Sequence, residues 1–304
     1  MTKEIYQIEQ GIAKLEQQTL TITEQLKSNY QNYLNKLGEY VQKYLIFAAY
    51  QICTQTYPQA FLNLSLNQRQ AFQQTVSNLG KQAQTKLSSL LDTNVDSQDY
   101  QSENDSETTV APELTAQIII AEDPLDANLT VNNDAIDLEA SVTKSEPTKI
   151  TNPEELVIWI KKIEKNITDI LQMVSNDVNK LLLKESILPQ QLPSKVLEAA
   201  AKIDSTASST SGRPNLLNLL VESGKDSAIE KDKVKKNSEV TKITAIYLRL
   251  AEIEFAETTL SSQRNQIREI LARVKKLRKQ YQKTQQELAI AQAEAAWRSS
   301  WYEE

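Results

Sequence analysis

The 304-residue chain contains no histidine, and cysteine occurs once, at Cys53. Without histidine there is no His-based acid–base catalysis, no Ser-His-Asp or Cys-His nucleophile, and no zinc site built from His and Cys ligands. Catalysis would have to use carboxylates or lysines, and none of them has a recognisable catalytic or metal-binding spacing. We therefore predict that the protein is not an enzyme, with no catalytic residue, no metal, no cofactor and no small-molecule substrate.

Turn-forming residues are scarce, since glycine occurs five times and proline eight times. A β-sandwich or an α/β fold of this length would need many more of them. Apolar residues instead recur at intervals of three and four, as amphipathic helices require. The predicted fold class is all-α, with long amphipathic helices of the coiled-coil type.

Long apolar runs and a pair of cysteines are also missing. The most apolar window, from Leu45 to Tyr50, is far shorter than the roughly 20 residues that span a bilayer. The first residues lack the basic-then-apolar pattern of a secretion signal. A lone cysteine cannot form a disulfide within the chain, so nothing implies an oxidising compartment. We expect a cytoplasmic location, with peripheral attachment to a membrane as an open alternative.

Basic residues are missing from one stretch of the chain. Between Leu87 and Thr143 there is no Lys or Arg, but there are 13 Asp and Glu residues. This stretch carries −13 while the whole chain carries −6, so the rest of the chain carries +7. Low hydrophobicity and one-sided charge predict an acidic disordered linker at 92–150.

Residues 1–91 are predicted to form a helical hairpin. In its first helix, an apolar or tyrosine residue recurs about every seven positions from Ile5 to Phe47, and Pro58 ends the pattern. The tyrosines Tyr33, Tyr40 and Tyr44 are a candidate protein interface, because tyrosine combines a large apolar ring with a hydrogen-bonding hydroxyl. Core packing within the hairpin and contact with a membrane surface are the alternatives.

Three segments are predicted after the linker. Residues 151–204 are helical and begin at a capping Asn152 followed by Pro153, with a shorter helix from Ser194 to Ile203. Residues 205–238 are flexible and contain a short leucine-rich helix. Its face would dock within the chain, in a partner's groove or on a membrane; that candidate interface comprises Leu216, Leu219 and Leu220.

Residues 239–304 are predicted to form a long coiled-coil-type helix, because an apolar residue recurs every seven positions from Ile246 to Ala295. This helix carries a basic stripe roughly 29 Å long that can neutralise phosphates of nucleic acid or lipid. The alternatives are a solvated face, a face paired with carboxylates of another helix, an acidic protein, or the chain's own acidic linker. The candidate anion- or partner-binding residues are Arg264, Arg268, Arg273, Lys275, Lys279 and Lys283.

Two tryptophans, Trp297 and Trp301, stand near the end of that helix, where they either cover the end of a helical bundle or bind a partner. Together these features predict a non-enzymatic scaffold or adaptor that acts through helix–helix protein interactions, with self-association as a further option. The alternative is a nucleic-acid-binding or anionic-membrane-associated factor that uses the basic stripe.

Overall fold

The computed structural model describes residues 2–91, 150–189, 214–223 and 239–301. This part of the chain holds six α-helices, one π-helical turn and a two-stranded sheet, so the all-α prediction is confirmed. The elements are α1 (Thr2–Gln51), the π-helical turn (Ile52–Thr56), α2 (Pro58–Leu62), α3 (Leu66–Ser88), α4 (Pro153–Lys184), β1 (Leu216–Ser223), β2 (Glu239–Ile246), α5 (Leu250–Ala256) and α6 (Thr258–Ser300).

The chain divides into two compact units. The first comprises residues 1–96, 149–218 and 244–304 and holds every helix that the structure describes. The second comprises residues 97–148 and 219–243, of which only the strand segments 219–223 and 239–243 are described. The predicted acidic linker, apart from Ile150, and the predicted helix from Ser194 to Ile203 lie outside the described residues.

Helices α1 and α3 run antiparallel along each other. Gly38 of α1 lies against Gln84 of α3, and Gly80 of α3 lies against Gln42 of α1. A Cβ atom at position 38 would stand 3.0 Å from the Cα of Gln84. The two glycines therefore mark a place where the helix backbones approach closely because no side chain separates them.

The apolar stripe of α1 changes register along the helix. In the first half, positions of the seven-residue pattern such as Ile12 and Leu26 are buried, but Phe47 at its far end is exposed. The prediction of one continuous inward stripe is wrong there, because a straight helix drifts by about 20° per seven residues. The buried apolar residues near that end are Leu37, Val41, Leu45 and Ala48.

Helix α4 begins where the sequence predicts. The side chain of Asn152 accepts a hydrogen bond of 2.8 Å from the backbone N–H of Glu154, and Pro153 occupies the first helical position, where its missing N–H costs nothing. Apolar residues at steps of three and four then face α1, α3 and α6. The buried ones are Leu156, Ile160, Ile163, Ile167, Leu171, Val174, Val178 and Leu182.

The structure corrects two predictions for the segment that precedes α6. The predicted short leucine-rich helix is the strand β1, and the predicted start of the last helix at Glu239 is the strand β2, so helix begins only at Leu250. Five of the eight residues of β2 are Val, Ile or Thr, which favour strands because their branched side chains restrict helical rotamers. The last helix is also interrupted at Glu257, which is extended between α5 and α6.

Helices α1, α3, α4 and α6 form an up-down-up-down bundle within the first unit. Helix α6 runs antiparallel to α1, since Thr259 bonds Tyr40 while Thr284 lies against Gly11 near the other end. It also runs antiparallel to α4, because Arg264 pairs with Glu164 and Arg278 with Glu154. Coiled-coil pairing of α6 with another chain stays a prediction.

Candidate interaction surfaces

An ion-pair network lies inside the bundle. Arg264 of α6 donates two hydrogen bonds to Glu164 of α4, with distances of 2.6 Å (Nη1–Oε1) and 2.7 Å (Nη2–Oε2). This bidentate geometry makes arginine–carboxylate pairs strong. The Nε atom of Arg264 lies 3.3 Å from Oε1 of Glu254 in α5, an ion-pair distance that lacks hydrogen-bond geometry. The Arg264 side chain is only 16% exposed, so the structure removes it from the predicted anion-binding stripe.

Two fully buried tyrosines of α1 complete this network. The hydroxyl of Tyr30 donates a hydrogen bond of 2.5 Å to Glu164, and that of Tyr33 donates one to Glu254. Burial, followed by the negative charge of the neighbouring carboxylate, raises the pKa of both phenols well above the usual range. Tyr33 therefore lies in the core, which was one of the alternatives to the predicted interface of Tyr33, Tyr40 and Tyr44. The glutamates were not predicted, because no local pattern shows that two carboxylates from different helices face inward.

The other two tyrosines predicted for an interface are half-buried against the start of α6. Tyr40 bonds Thr259 at 3.1 Å, and Tyr44 donates a hydrogen bond of 3.0 Å to Glu257. Lys43 also donates to Glu257 at 3.0 Å, and this bond holds the pKa of the Glu257 carboxyl below its usual value. Tyr40 and Tyr44 therefore hold α1 against the start of α6 within the chain.

Polar side chains of α4 hold the base of the β-hairpin. The Asn179 amide pairs with both backbone groups of Ile246: its Oδ1 accepts from N at 2.9 Å and its Nδ2 donates to O at 2.8 Å. The hydroxyl of Ser175 accepts from the backbone N of Leu248 at 3.0 Å. These buried side chains supply the hydrogen bonds that a further strand would otherwise provide.

The predicted Leu-rich interface is placed on this hairpin. Leu216 is buried in the first unit, so it is unavailable to a partner. Leu219 and Leu220 belong to β1, and the structure describes their backbone. The single helical face that the sequence predicts for the three leucines does not exist, because successive strand residues point to opposite sides.

The remaining basic residues of the predicted stripe are exposed on α6. Arg268, Lys275, Lys279 and Lys283 fall on one side of the helix, opposite its buried apolar residues, and Arg273 is exposed elsewhere on its surface. From the first to the last they span about 22 Å. Arg268 is hydrogen-bonded to Asn265, and Lys283 lies 3.8 Å from Glu287. We name Arg268, Lys275, Lys279 and Lys283 the basic stripe.

The C-terminal part of α6 leaves the bundle interior. No described residue after Tyr281 is buried. Ile290, Trp297 and Trp301 are exposed, the two tryptophans by 67% and 65%, and the tryptophan ring centroids lie 5.7 Å apart. A spacing of seven residues puts Ile290 and Trp297 on one side of the helix, and Trp301, the first residue after the helix, lies beside Trp297. We name this surface the tail face.

The tip of the α1–α3 hairpin, at the opposite end of the bundle, contains a cavity of about 340 Å³ between α1, the π-helical turn, α2 and α3. Burial raises the pKa of the Cys53 thiol, which lines the cavity, to about 12, so the thiol stays protonated at neutral pH. The other lining residues are Ile46, Ala49, Tyr50, Thr54, Phe61, Phe72, Gln73, Val76 and Ser77.

Known proteins offer no guide to these surfaces. The chain matches no family model, no curated protein and no solved structure. Within the described ranges, no cluster of three or more Cys, Asp or Glu side chains is placed to hold a metal ion. Among the described helices, none combines the length and the apolar character that a membrane crossing requires. The surfaces must therefore be interpreted from their own chemistry.

Proposed function

We propose that the protein is a non-enzymatic, cytoplasmic scaffold or adaptor that binds other proteins through helix surfaces, and that the tail face is its principal docking surface. The observation that carries this proposal is the exposure of Ile290, Trp297 and Trp301 on a stretch of α6 without buried residues. Large exposed aromatic side chains on a folded helix are disfavoured unless something else covers them.

The spacing of the tail face suits a groove in a partner protein. Residues 290 and 297 lie two helical turns apart, a spacing that anchors of helices in apolar grooves also use, and Trp301 follows four residues after Trp297. Tryptophan is enriched among the residues that dominate interface energies. The helix is already formed in this chain, so binding would not carry the entropy cost of folding a peptide.

The interior of the bundle supports binding rather than catalysis as the role. Arg264 and Tyr30 both donate hydrogen bonds to Glu164 between the helices. Their arrangement joins α1, α4 and α6, so these ionisable groups hold the scaffold together. A rigid scaffold is what a docking helix needs to keep its anchors in position.

The proposal is tested by affinity capture with the full-length protein and a Trp297→Ala/Trp301→Ala variant. We expect proteins that the unmodified chain retains in high salt to be lost with this variant, because its apolar anchors are gone. The control is Ile158→Ala/Phe255→Ala, which removes two exposed apolar side chains elsewhere, 66% and 91% exposed. Loss with the control as well, or retention of the same proteins by the tryptophan variant, contradicts the proposal.

A second candidate function rests on the basic stripe. Four cations on one side of α6 can contact phosphates of nucleic acid or of lipid headgroups. Changing Arg268, Lys275, Lys279 and Lys283 to Gln should then abolish retention of nucleic acid or lipid, and retention should fall steeply with salt. The control changes four exposed lysines on other helices to Gln, namely Lys14, Lys27, Lys81 and Lys184. If the two variants retained nucleic acid or lipid equally, the basic stripe would be ruled out as the binding site.

A further inference from the structure

The tip of the α1–α3 hairpin carries a second exposed apolar surface, separate from the tail face. Its side chains are between 43% and 67% exposed. They come from the end of α1 and from both sides of the turn at Asn63–Ser65, the segments that form the hairpin tip. We name this surface the tip patch; its residues are Ile46, Phe47, Tyr50, Leu62 and Leu66.

A cavity adjoins the patch, since Ile46 and Tyr50 belong to the patch and also line the cavity. The cavity of about 340 Å³ opens between Ile46, Tyr50 and Phe61, and Phe61 packs edge-on against Phe72 at a centroid distance of 6.4 Å. The helix backbone beside it, Ile52–Thr56, is π-helical, a rare geometry that is frequent at functional sites. The patch therefore offers apolar surface at two depths, on its rim and inside the cavity.

The chain that forms the hairpin tip contributes cations but no carboxylate. The sequence contains no Asp or Glu from Tyr40 to Leu91, a stretch that covers the end of α1 and all of α2 and α3. Of the cations in this stretch, Lys43 is paired with Glu257, and Lys81 and Lys86 lie about 22 and 30 Å along α3 from Leu66, which leaves Arg69 as the cation of the patch. Arg69 lies over the ring of Phe61 at 5.7 Å and donates a hydrogen bond to the backbone oxygen of Leu62, so a positive charge stands within the patch itself.

We propose that the tip patch docks on the surface of an anionic lipid bilayer. Peripheral proteins bind such surfaces by inserting apolar side chains among the headgroups, with basic residues attracted to the negative lipids. A hairpin end with exposed Phe, Tyr and Leu, a basic residue in the patch and a stretch without carboxylates has both features. The cavity gives an acyl-chain end or an inserted apolar group a place to lie.

This site is independent of the tail face and of the proposed function. The two surfaces are separated by at least about 50 Å, the length of α1 between Gly11, which lies against Thr284, and Ile46. A protein bound to a bilayer at the tip would leave its tail face free for a partner. Either surface can therefore fail its test without affecting the other.

The test is sedimentation of the full-length protein with vesicles of phosphatidylcholine alone or mixed with phosphatidylserine. We expect binding to the mixed vesicles, and a decrease of the partition constant by about tenfold or more in the variant Phe47→Gln/Leu66→Gln, because two inserting side chains are lost. Both residues are exposed, so the variant should fold, which its circular dichroism spectrum and unfolding midpoint would verify.

Two further variants make the result specific. The Ile158→Gln/Phe255→Gln variant removes two exposed apolar residues outside the hairpin and should bind as the unmodified protein does. A variant with Gln at the four basic-stripe positions should also keep most of its binding. The proposal is overturned if no binding to mixed vesicles occurs, if the tip variant binds normally, or if binding depends on the basic stripe instead. Capture of a protein by the tip patch without vesicle binding would likewise overturn it.

Discussion

At the scale of single residues, Arg264 joins three helices through one side chain. It forms a bidentate pair with Glu164 of α4, lies beside Glu254 of α5, and stands over the ring of Tyr33 of α1 at 5.6 Å. Charges removed from water require partners, and a partner left alone in the interior is costly. The network therefore fixes which faces of these helices meet.

Replacing Arg264 by Met should lower the free energy of unfolding by about 3 kcal/mol, because Glu164 and Glu254 would remain partly buried without their cation. This value is the low end for a broken buried pair, since Glu164 keeps 27% of its side chain exposed. Urea unfolding would measure it. The control Arg268→Met removes an exposed arginine and should change stability by less than about 0.5 kcal/mol. Equal losses in the two variants would show that the network adds no stability.

The buried tyrosines predict a loss of stability at alkaline pH. The folded state raises the pKa of Tyr33 above its unfolded value of about 10. Above pH 10 the unfolded chain releases a proton that the folded chain keeps. The contribution of Tyr33 to the free energy of unfolding, which is fully present below pH 10, is therefore lost as pH rises. Tyr33 alone should lower the free energy of unfolding by about 1.4 kcal/mol per pH unit in that range.

This slope can be measured by urea unfolding between pH 9 and pH 11. The Tyr33→Phe variant should start from a lower stability, because Glu254 loses a hydrogen-bond donor. Its stability should nevertheless fall less steeply with pH than that of the unmodified protein. Parallel curves for the two proteins would mean that Tyr33 ionises as readily in the folded chain as in the unfolded one.

At the scale of elements, the close crossing of α1 and α3 depends on Gly38. A methyl group there would meet the backbone of Gln84 at 3.0 to 3.2 Å, so the helices would have to separate. Overpacking of this kind costs about 1–3 kcal/mol, against a gain in helix propensity of up to about 1 kcal/mol. Gly38→Ala should therefore lower the free energy of unfolding by about 1 kcal/mol. Gly11→Ala, whose nearest neighbour atom is Thr284 Cγ2 at 3.9 Å, should leave stability unchanged or increase it.

The helices were predictable where their signals are local. Asn152 and Pro153 mark the start of α4 by side-chain chemistry that acts within one turn, and Pro58 marks the end of the first helical pattern. The β-hairpin was missed because its spacing of leucines also fits a helix. What favours the strand lies elsewhere in the chain: at its base Asn179 of α4 accepts and donates a hydrogen bond, and Ser175 of α4 accepts one.

At the scale of the whole molecule, the bundle separates two exposed apolar surfaces. The tail face was partly predictable: Trp297 and Trp301 stand together near the end of a helical pattern, but the sequence equally allowed them to cover the end of the bundle and did not single out Ile290. The tip patch was not predictable from the sequence. Phe47 and Tyr50 resemble the core positions of the first helix, and Leu62 and Leu66 lie in another part of the hairpin. Which of these side chains are exposed depends on how the seven-residue pattern rotates around α1 and on how α3 packs against it.

The basic stripe was only partly predictable from spacing. Arg264 and Arg268 are four residues apart and fit the same helical face, yet Arg264 is directed into the bundle by Glu164 while Arg268 stays exposed. Two arginines one helical turn apart can therefore differ in burial, one facing the bundle interior and the other facing solvent. The partner that decides between them comes from α4, 100 residues away in sequence, so no pattern within α6 reveals it.

The central claim, that the tail face docks on a partner protein, is tested most directly by photo-crosslinking from position 293. Ala293 is exposed one turn before Trp297, so a photoreactive residue there stands beside the anchors without replacing them. We predict a protein adduct from position 293, none from the exposed position 158 on α4, and loss of the adduct when Trp297 and Trp301 are changed to Ala. No adduct at 293, or an adduct that survives the loss of both tryptophans, would contradict the claim.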